Sequence, residues 1–144
     1  MLTKVGCIFA EEADVKVIPV NTKGVMGLGL ALTFKKRHPK IYLEYRRECK
    51  AGEFVIGIPK LYEDEGQKYL LFPTKEHYNN DSRREYLIDA MRYVVENPIL
   101  EPEWTILTPA LGAGCGRLDF NKVKRLIQHW SESIPNPVIF ISPR

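Results

Sequence analysis

The chain has 144 residues, 44% of them hydrophobic and 27% charged, and a formal net charge of +3. That length suits one domain over residues 1–144 with a real core, and the composition excludes a disordered or fibrous chain. No apolar run approaches the ~20 residues of a membrane span.

The start, Met1-Leu2-Thr3-Lys4, lacks a secretory signal pattern. Three widely spaced cysteines, Cys7, Cys49 and Cys115, form no Cys-x-x-Cys pair. The expectation is therefore a reducing compartment, the cytoplasm, with no structural zinc.

In chain order, Val5–Phe9 and Val15–Val20 read as short buried strands. A helical pattern covers Leu28–Arg37, stops before Pro39 and resumes through Ile41, Tyr42, Tyr45 and Cys49 to Gly52. Phe54–Ile58 is apolar and β-rich, and the polar turn Glu63-Asp64-Glu65-Gly66 follows it. Tyr69–Phe72 reads as a strand ending at Pro73-Thr74. Asp81-Ser82, with Glu85 as a capping-box partner, starts a helix that buries Tyr86, Leu87, Ala90, Tyr93 and Val94 and ends before Asn97-Pro98. Trp104–Thr108 is strand-like, Asp119 opens a helix carrying Val123, Leu126, Ile127 and Trp130, and Val138–Ile141 is a last strand. The alternation predicts an α/β sheet covered by helices on both faces. In such sheets the ligand crevice lies beyond the carboxyl ends of the strands.

Two glycine-rich strand-to-helix loops fall at such ends. The first is Asn21-Thr22-Lys23-Gly24-Val25-Met26-Gly27-Leu28-Gly29, and the second is Leu111-Gly112-Ala113-Gly114-Cys115-Gly116-Arg117. Glycines there let a ligand approach the backbone, and unpaired N–H groups at a helix start suit an anion. Neither loop matches the dinucleotide or nucleoside-triphosphate fingerprint. Together they suggest a cradle for a diphosphate.

Lys75 follows Phe72-Pro73-Thr74 at a strand end. Partial desolvation there would lower its pKa and make it a nucleophile, an acid or a phosphate cation; a surface lysine is the bland reading. The Asn21 amide suits either a ligand hydroxyl or the loop backbone. Cys115, near an expected helix N-terminus, is a small loop-filling residue or, with His77 as base, a thiolate. His38 reads as a surface residue and His129 as structural. Lys35, Lys36, Arg37, Lys40, Arg46, Arg47 and Lys50 form a basic cluster, either a solvated helix face or a guide for a polyanion.

Read together, these stretches resemble the macrodomain family of ADP-ribose-binding domains. The carrying residues run from Pro19 to Ala31, through Phe34-Lys35-Lys36-Arg37-His38-Pro39, then Phe72 to Tyr78 and Ala110 to Phe120. More narrowly, they are similar to the branch that holds the DNA ADP-ribosyl glycohydrolase antitoxins and terminal ADP-ribose protein glycohydrolase. The resemblance implies a three-layer α/β/α domain with a mixed central sheet that holds ADP-ribose as ligand or product, without metal or cofactor. Asn21, Thr22, Gly24, Val25, Met26, Gly27 and Gly29 would wrap the distal ribose. Gly112, Ala113, Gly114, Cys115, Gly116 and Arg117 would hold the diphosphate, with Thr74 beside them. Lys75 and Asn21 would be catalytic at the distal ribose anomeric carbon.

Two positions depart from the family pattern. Cys7-Ile8 stands where an adenine-contacting aspartate is common, which leaves adenine to backbone N–H groups near Ile8. Gly116 stands where the protein glycohydrolase has an aspartate that assists catalysis. The implied activity is removal of ADP-ribose from a modified acceptor, a DNA base above all. Single-stranded DNA and a cognate ADP-ribosyltransferase toxin are the implied partners, and no membrane is. The rival readings are a binding module without turnover, a hydrolase of ADP-ribose 1″-phosphate or O-acetyl-ADP-ribose, and a nucleic-acid-binding module.

Overall fold

The apolar runs in the chain become the centre of one sheet. A computed structural model describes residues Met1 to Arg144. Its strands are β1 (Leu2–Val5), β2 (Val15–Asn21), β3 (Lys60–Asp64), β4 (Gln67–Lys75), β5 (Ile106–Thr108) and β6 (Val138–Ser142). Its helices are α1 (Gly29–Arg37), α2 (Pro39–Lys50), α3 (Arg84–Glu96) and α4 (Phe120–Ser131). The sheet order is β1-β6-β5-β2-β4-β3. Only the β3–β4 pair is antiparallel.

Successive side chains of a strand point to opposite faces, and β2 and β4 are apolar on both. Val15, Val17, Leu70 and Phe72 pack with Leu87, Met91, Val94, Val123, Ile127 and Trp130 of α3 and α4. Ile18, Val20, Tyr69 and Leu71 pack with Phe34, Ile41 and Tyr45 of α1 and α2. Each such side chain contributes about 1.5–3 kcal/mol when fully buried. The result is the expected three-layer α/β/α arrangement with a mixed sheet. The parallel strands β2, β4, β5 and β6 bring their carboxyl ends to one edge.

Several local expectations are corrected. The first strand is Leu2–Val5, not Val5–Phe9, because the Cys7 carbonyl accepts from the Ala10 and Glu11 amides and turns the chain. Phe54–Ile58 forms no strand; β3 begins at Lys60 and pairs with β4 through the turn at Glu65-Gly66, both at positive φ, which matches strand twist. The fifth strand is confined to Ile106–Thr108.

The capping box also fails. Arg83 is the α3 N-cap and has no side-chain cap bond, while the Ser82 hydroxyl turns to Thr74 Oγ1 at 3.1 Å. Met91 takes the buried position on α3, and Tyr86 and Tyr93 are half-buried. His38 is buried: its Nδ1 lies 2.9 Å from Asp64 Oδ2 and its Nε2 2.7 Å from the Tyr69 hydroxyl. Pro39 cannot continue α1, so the chain bends at His38 and aims the ring at the β4 face. His129 is exposed on α4 rather than packed in the core.

Candidate functional site

The segments after β2, β4 and β5 converge on a cleft of about 560 Å³. Its walls include Val20, Asn21, Val25, Gly27, Gly29, Thr74, Lys75, Tyr78, Asn79, Ser82, Gly112 to Gly116, Phe120 and Pro143.

Asn21 organises the first wall. Its Oδ1 accepts from the Lys23 amide at 3.0 Å and the Val25 amide at 3.4 Å, and its Nδ2 donates to the Val25 carbonyl at 2.8 Å. The Tyr45 hydroxyl donates to the Asn21 carbonyl at 2.6 Å and reaches Oδ1 at 3.1 Å. Burial pushes the Tyr45 phenol well above its ordinary range, so it stays a donor. Asn21 thus takes the loop-backbone role, and one Nδ2 hydrogen has no partner within the protein. Gly24 lies at φ +81°, and a Cβ there would come within 3.2 Å of the Arg46 backbone. The positive φ favours glycine here, and the missing side chain lets the loop lie close on α2. Met26, Gly27, Leu28, Gly29, Leu30 and Ala31 donate no amide hydrogen bond within the protein, which leaves the start of α1 open to an anion.

Ser82 builds the second wall. A Cβ at Gly116 would overlap the Ser82 hydroxyl and stand 2.5 Å from the Gly112 carbonyl oxygen. One at Gly112, where φ is +74°, would meet Ser82 Cβ and Leu118 at 2.9 Å. The Ser82 amide donates to the Gly116 carbonyl at 2.9 Å and the Leu118 amide to the Gly112 carbonyl at 2.8 Å. The loop is therefore wrapped tightly around one serine. Gly112, Gly114, Cys115 and Gly116 keep their own amides without a protein acceptor. A loop rich in such free N–H groups suits an anion.

Lys75 ends β4 between the two loops, half-buried. Its Nζ donates to the Tyr78 carbonyl at 3.3 Å, and no carboxylate lies within ion-pair distance. The neighbouring Glu76 is turned away and accepts from the Tyr86 hydroxyl at 2.6 Å.

Not every expected residue lines the cleft. Met26 is a core side chain, and Gly24 is a packing position. Thr22 ties the loop to the segment after β4 through its Oγ1 and amide, both donating to the Glu76 carbonyl. Cys7 and Ile8 sit beyond β1, and Ile8 is buried among the α1–α2 side chains. Arg117 projects to solvent, 3.7 Å from Asp81. Cys115 is on the loop and not at a helix start: α4 begins at Phe120, and its N-cap Asp119 accepts from the Lys122 amide at 2.9 Å. His77 packs against Tyr78 and accepts from the Asn79 amide, so no Cys–His pair forms. Ser82, Tyr78, Asn79, Phe120 and Pro143 are cleft residues that sequence reasoning missed. Tyr78 and Phe120 had a signal, since both end stretches that carry the family resemblance, but neither was given a role there.

The Macro domain family model matches residues 17–127. The chain is a macrodomain. Over 96% of its length it is 32% identical to a fusion protein of Thermosipho africanus described as a DNA ADP-ribosyl transferase-DNA ADP-ribosyl glycohydrolase. The macrodomain spans about 40% of the length of the curated relatives it matches. In structure it is similar to the macrodomain of Thermus aquaticus DarG (TM-score 0.86, 34% identity, 98% of this chain and 97% of that one). It is also similar to Thermosipho africanus DarTG in complex with ADP-ribose (TM-score 0.84, 32% identity, 95% of this chain and 40% of that one).

Proposed function

We propose that this macrodomain holds ADP-ribose along the cleft and acts as an ADP-ribosyl glycohydrolase, releasing it from a modified base of single-stranded DNA. The observation that carries the reading is the Lys75 amine, without a carboxylate partner, between two loops of unbonded amides. The Thermosipho relatives support it, one by its glycohydrolase activity on DNA and one by its bound ADP-ribose. The fusion partner in the first relative makes a DNA ADP-ribosyltransferase the enzyme whose product this macrodomain would reverse.

In this reading the amides of Gly112 and Gly114 to Gly116 and the start of α1 hold the diphosphate, and the Asn21-pinned loop wraps the distal ribose. Phe120 and Pro143 offer apolar faces for adenine at the far end. With the diphosphate anchored, C1″ of the distal ribose is held at Lys75. The bond from C1″ to the base nitrogen breaks and the base leaves with the electron pair, taking up a proton. The electron-poor C1″ is captured by water, directly or after a transient bond to the Lys75 amine. Positioning and fixed dipoles supply the rate enhancement. Ser82 leaves no room for a side chain at 116, so the reaction would proceed without a carboxylate from that loop.

The test is release of ADP-ribose from a single-stranded oligonucleotide carrying ADP-ribosylated thymine. Release by the wild type and its loss in Lys75→Ala, with ADP-ribose affinity kept within about threefold, supports the reading. Turnover intact in Lys75→Ala refutes the mechanism. Binding of ADP-ribose with no release by the wild type makes the domain a reader.

A further inference from the structure

A second groove, about 480 Å³, opens between the first turn of α3 and the length of α4 and is lined by Arg84, Lys122, Arg125, Leu126 and His129. Helix α4 carries no Asp or Glu between Phe120 and Ser131. Its N-cap carboxylate, Asp119, is engaged with the Lys122 amide. None of Arg84, Lys122 and Arg125 forms an ion pair. Three basic side chains thus face one concavity without an ion-pair partner.

The basic cluster most visible in the sequence differs. Arg47 pairs with Glu44 and Glu53, and Lys35 and Arg37 cover the rings of Tyr42 and Phe9. The rest of that cluster is also free of ion pairs, but none of its seven residues lines the cleft or the groove.

The groove begins next to the cleft wall at Ser82, whose hydroxyl bonds Thr74, the residue before Lys75. Ser82 and Phe120 line the cleft, and Arg84 and Lys122, each two residues further along, line the groove. Two residues span at most roughly 7 Å. The base leaves from the Lys75 end, and a strand passing from there over Ser82 lies within that reach of Arg84 in the groove. We infer that this groove seats the phosphodiester backbone of the nucleic-acid strand bearing the modified base, an inference that rests on the proposed action on a DNA acceptor. The arginine forks match phosphate oxygens, and such contacts position a strand without reading its sequence.

The test uses fluorescence anisotropy of an unmodified, labelled decathymidylate, so that it reads the groove without turnover. Wild-type binding should weaken with salt at a log–log slope of about −2, from three cations at about 0.7 each. In Lys122→Gln/Arg125→Gln the slope should fall to about −0.7 and affinity at low salt by about tenfold. Both side chains are exposed, so melting and ADP-ribose affinity should stay at wild-type values. On an ADP-ribosylated oligonucleotide the double variant should raise KM, with turnover of an ADP-ribosylated thymidine nucleoside unchanged. Decathymidylate binding that is absent in the wild type, or unaltered in the double variant, overturns the inference. So does preferential binding of a deca-glutamate peptide, which would make the groove a docking site for an acidic protein. Groove-dependent oligonucleotide binding without any release of ADP-ribose would leave this inference standing and remove the glycohydrolase reading.

Discussion

Gly116→Ala is the perturbation that tests the cleft architecture most directly. The added methyl group would sit 2.5 Å from the Gly112 carbonyl oxygen and 2.7 Å from Ser82 Cβ. The first distance is about 0.8 Å inside an ordinary C···O contact. Neither neighbour moves freely. The Gly112 carbonyl accepts from Leu118, and the Ser82 amide is bonded to Gly116 itself. Overpacking of this kind costs about 2–3 kcal/mol, which lowers Tm by roughly 5–10 °C for a domain of this size. Relief would have to come from shifting the loop, which displaces its free amides. Losing two charge-assisted hydrogen bonds to the diphosphate weakens ADP-ribose binding by about 100-fold. Ser82→Ala added to Gly116→Ala removes the hydroxyl but leaves the carbonyl contact, so less than half of the lost stability should return. Gly114→Ala is the control, because a Cβ there meets nothing within 4 Å. Scanning calorimetry and isothermal titration with ADP-ribose measure both effects. A Gly116→Ala protein that melts and binds as the wild type does would refute the account of the Ser82 wedge.

Two further outcomes follow from the same geometry. Asn21→Ala removes the acceptor for two loop amides and the donor to the Val25 carbonyl, and should cost about 2–3 kcal/mol in urea unfolding together with ADP-ribose affinity; unchanged stability would contradict the pinning role. Stability should also fall above about pH 9. Burial raises the phenols of Tyr45, Tyr62 and Tyr69 and pushes the Cys49 thiol up to about 11, so the folded chain holds protons that the unfolded chain has released. Each such group removes up to about 1.4 kcal/mol per pH unit between its unfolded and folded values. Tyr45→Phe should flatten that decline in unfolding curves taken at about pH 8, 9.5 and 11, and a decline parallel to the wild type would count against it.

Period and composition carried the layers. The apolar runs of β2, interrupted only by Lys16, and of β4, the 3.6-residue spacing on α2, α3 and α4, and the glycine loops at strand ends were local signals, and the helix-covered α/β sheet follows from them. Boundaries at partners' discretion were not legible. Phe54–Ile58 has the residues of a strand but pairs with no strand, whereas polar Lys60–Asp64 takes the β4 edge. His38 looked like a surface residue because the acceptor at Asp64 and the hydroxyl of Tyr69 lie 26 and 31 residues away.

The site divides in the same way. The chain by itself determined that Lys75 and two glycine-rich loops would meet at the carboxyl edge of a parallel sheet, since strand direction and connection handedness leave few alternatives. Only the tertiary structure decided what those loops are wrapped around. Ser82 reaches Gly112 and Gly116, Tyr45 reaches Asn21, and α3 meets α4 along an unpaired basic groove. Those contacts join residues more than 20 positions apart, and no periodicity encodes a neighbour that only packing brings close.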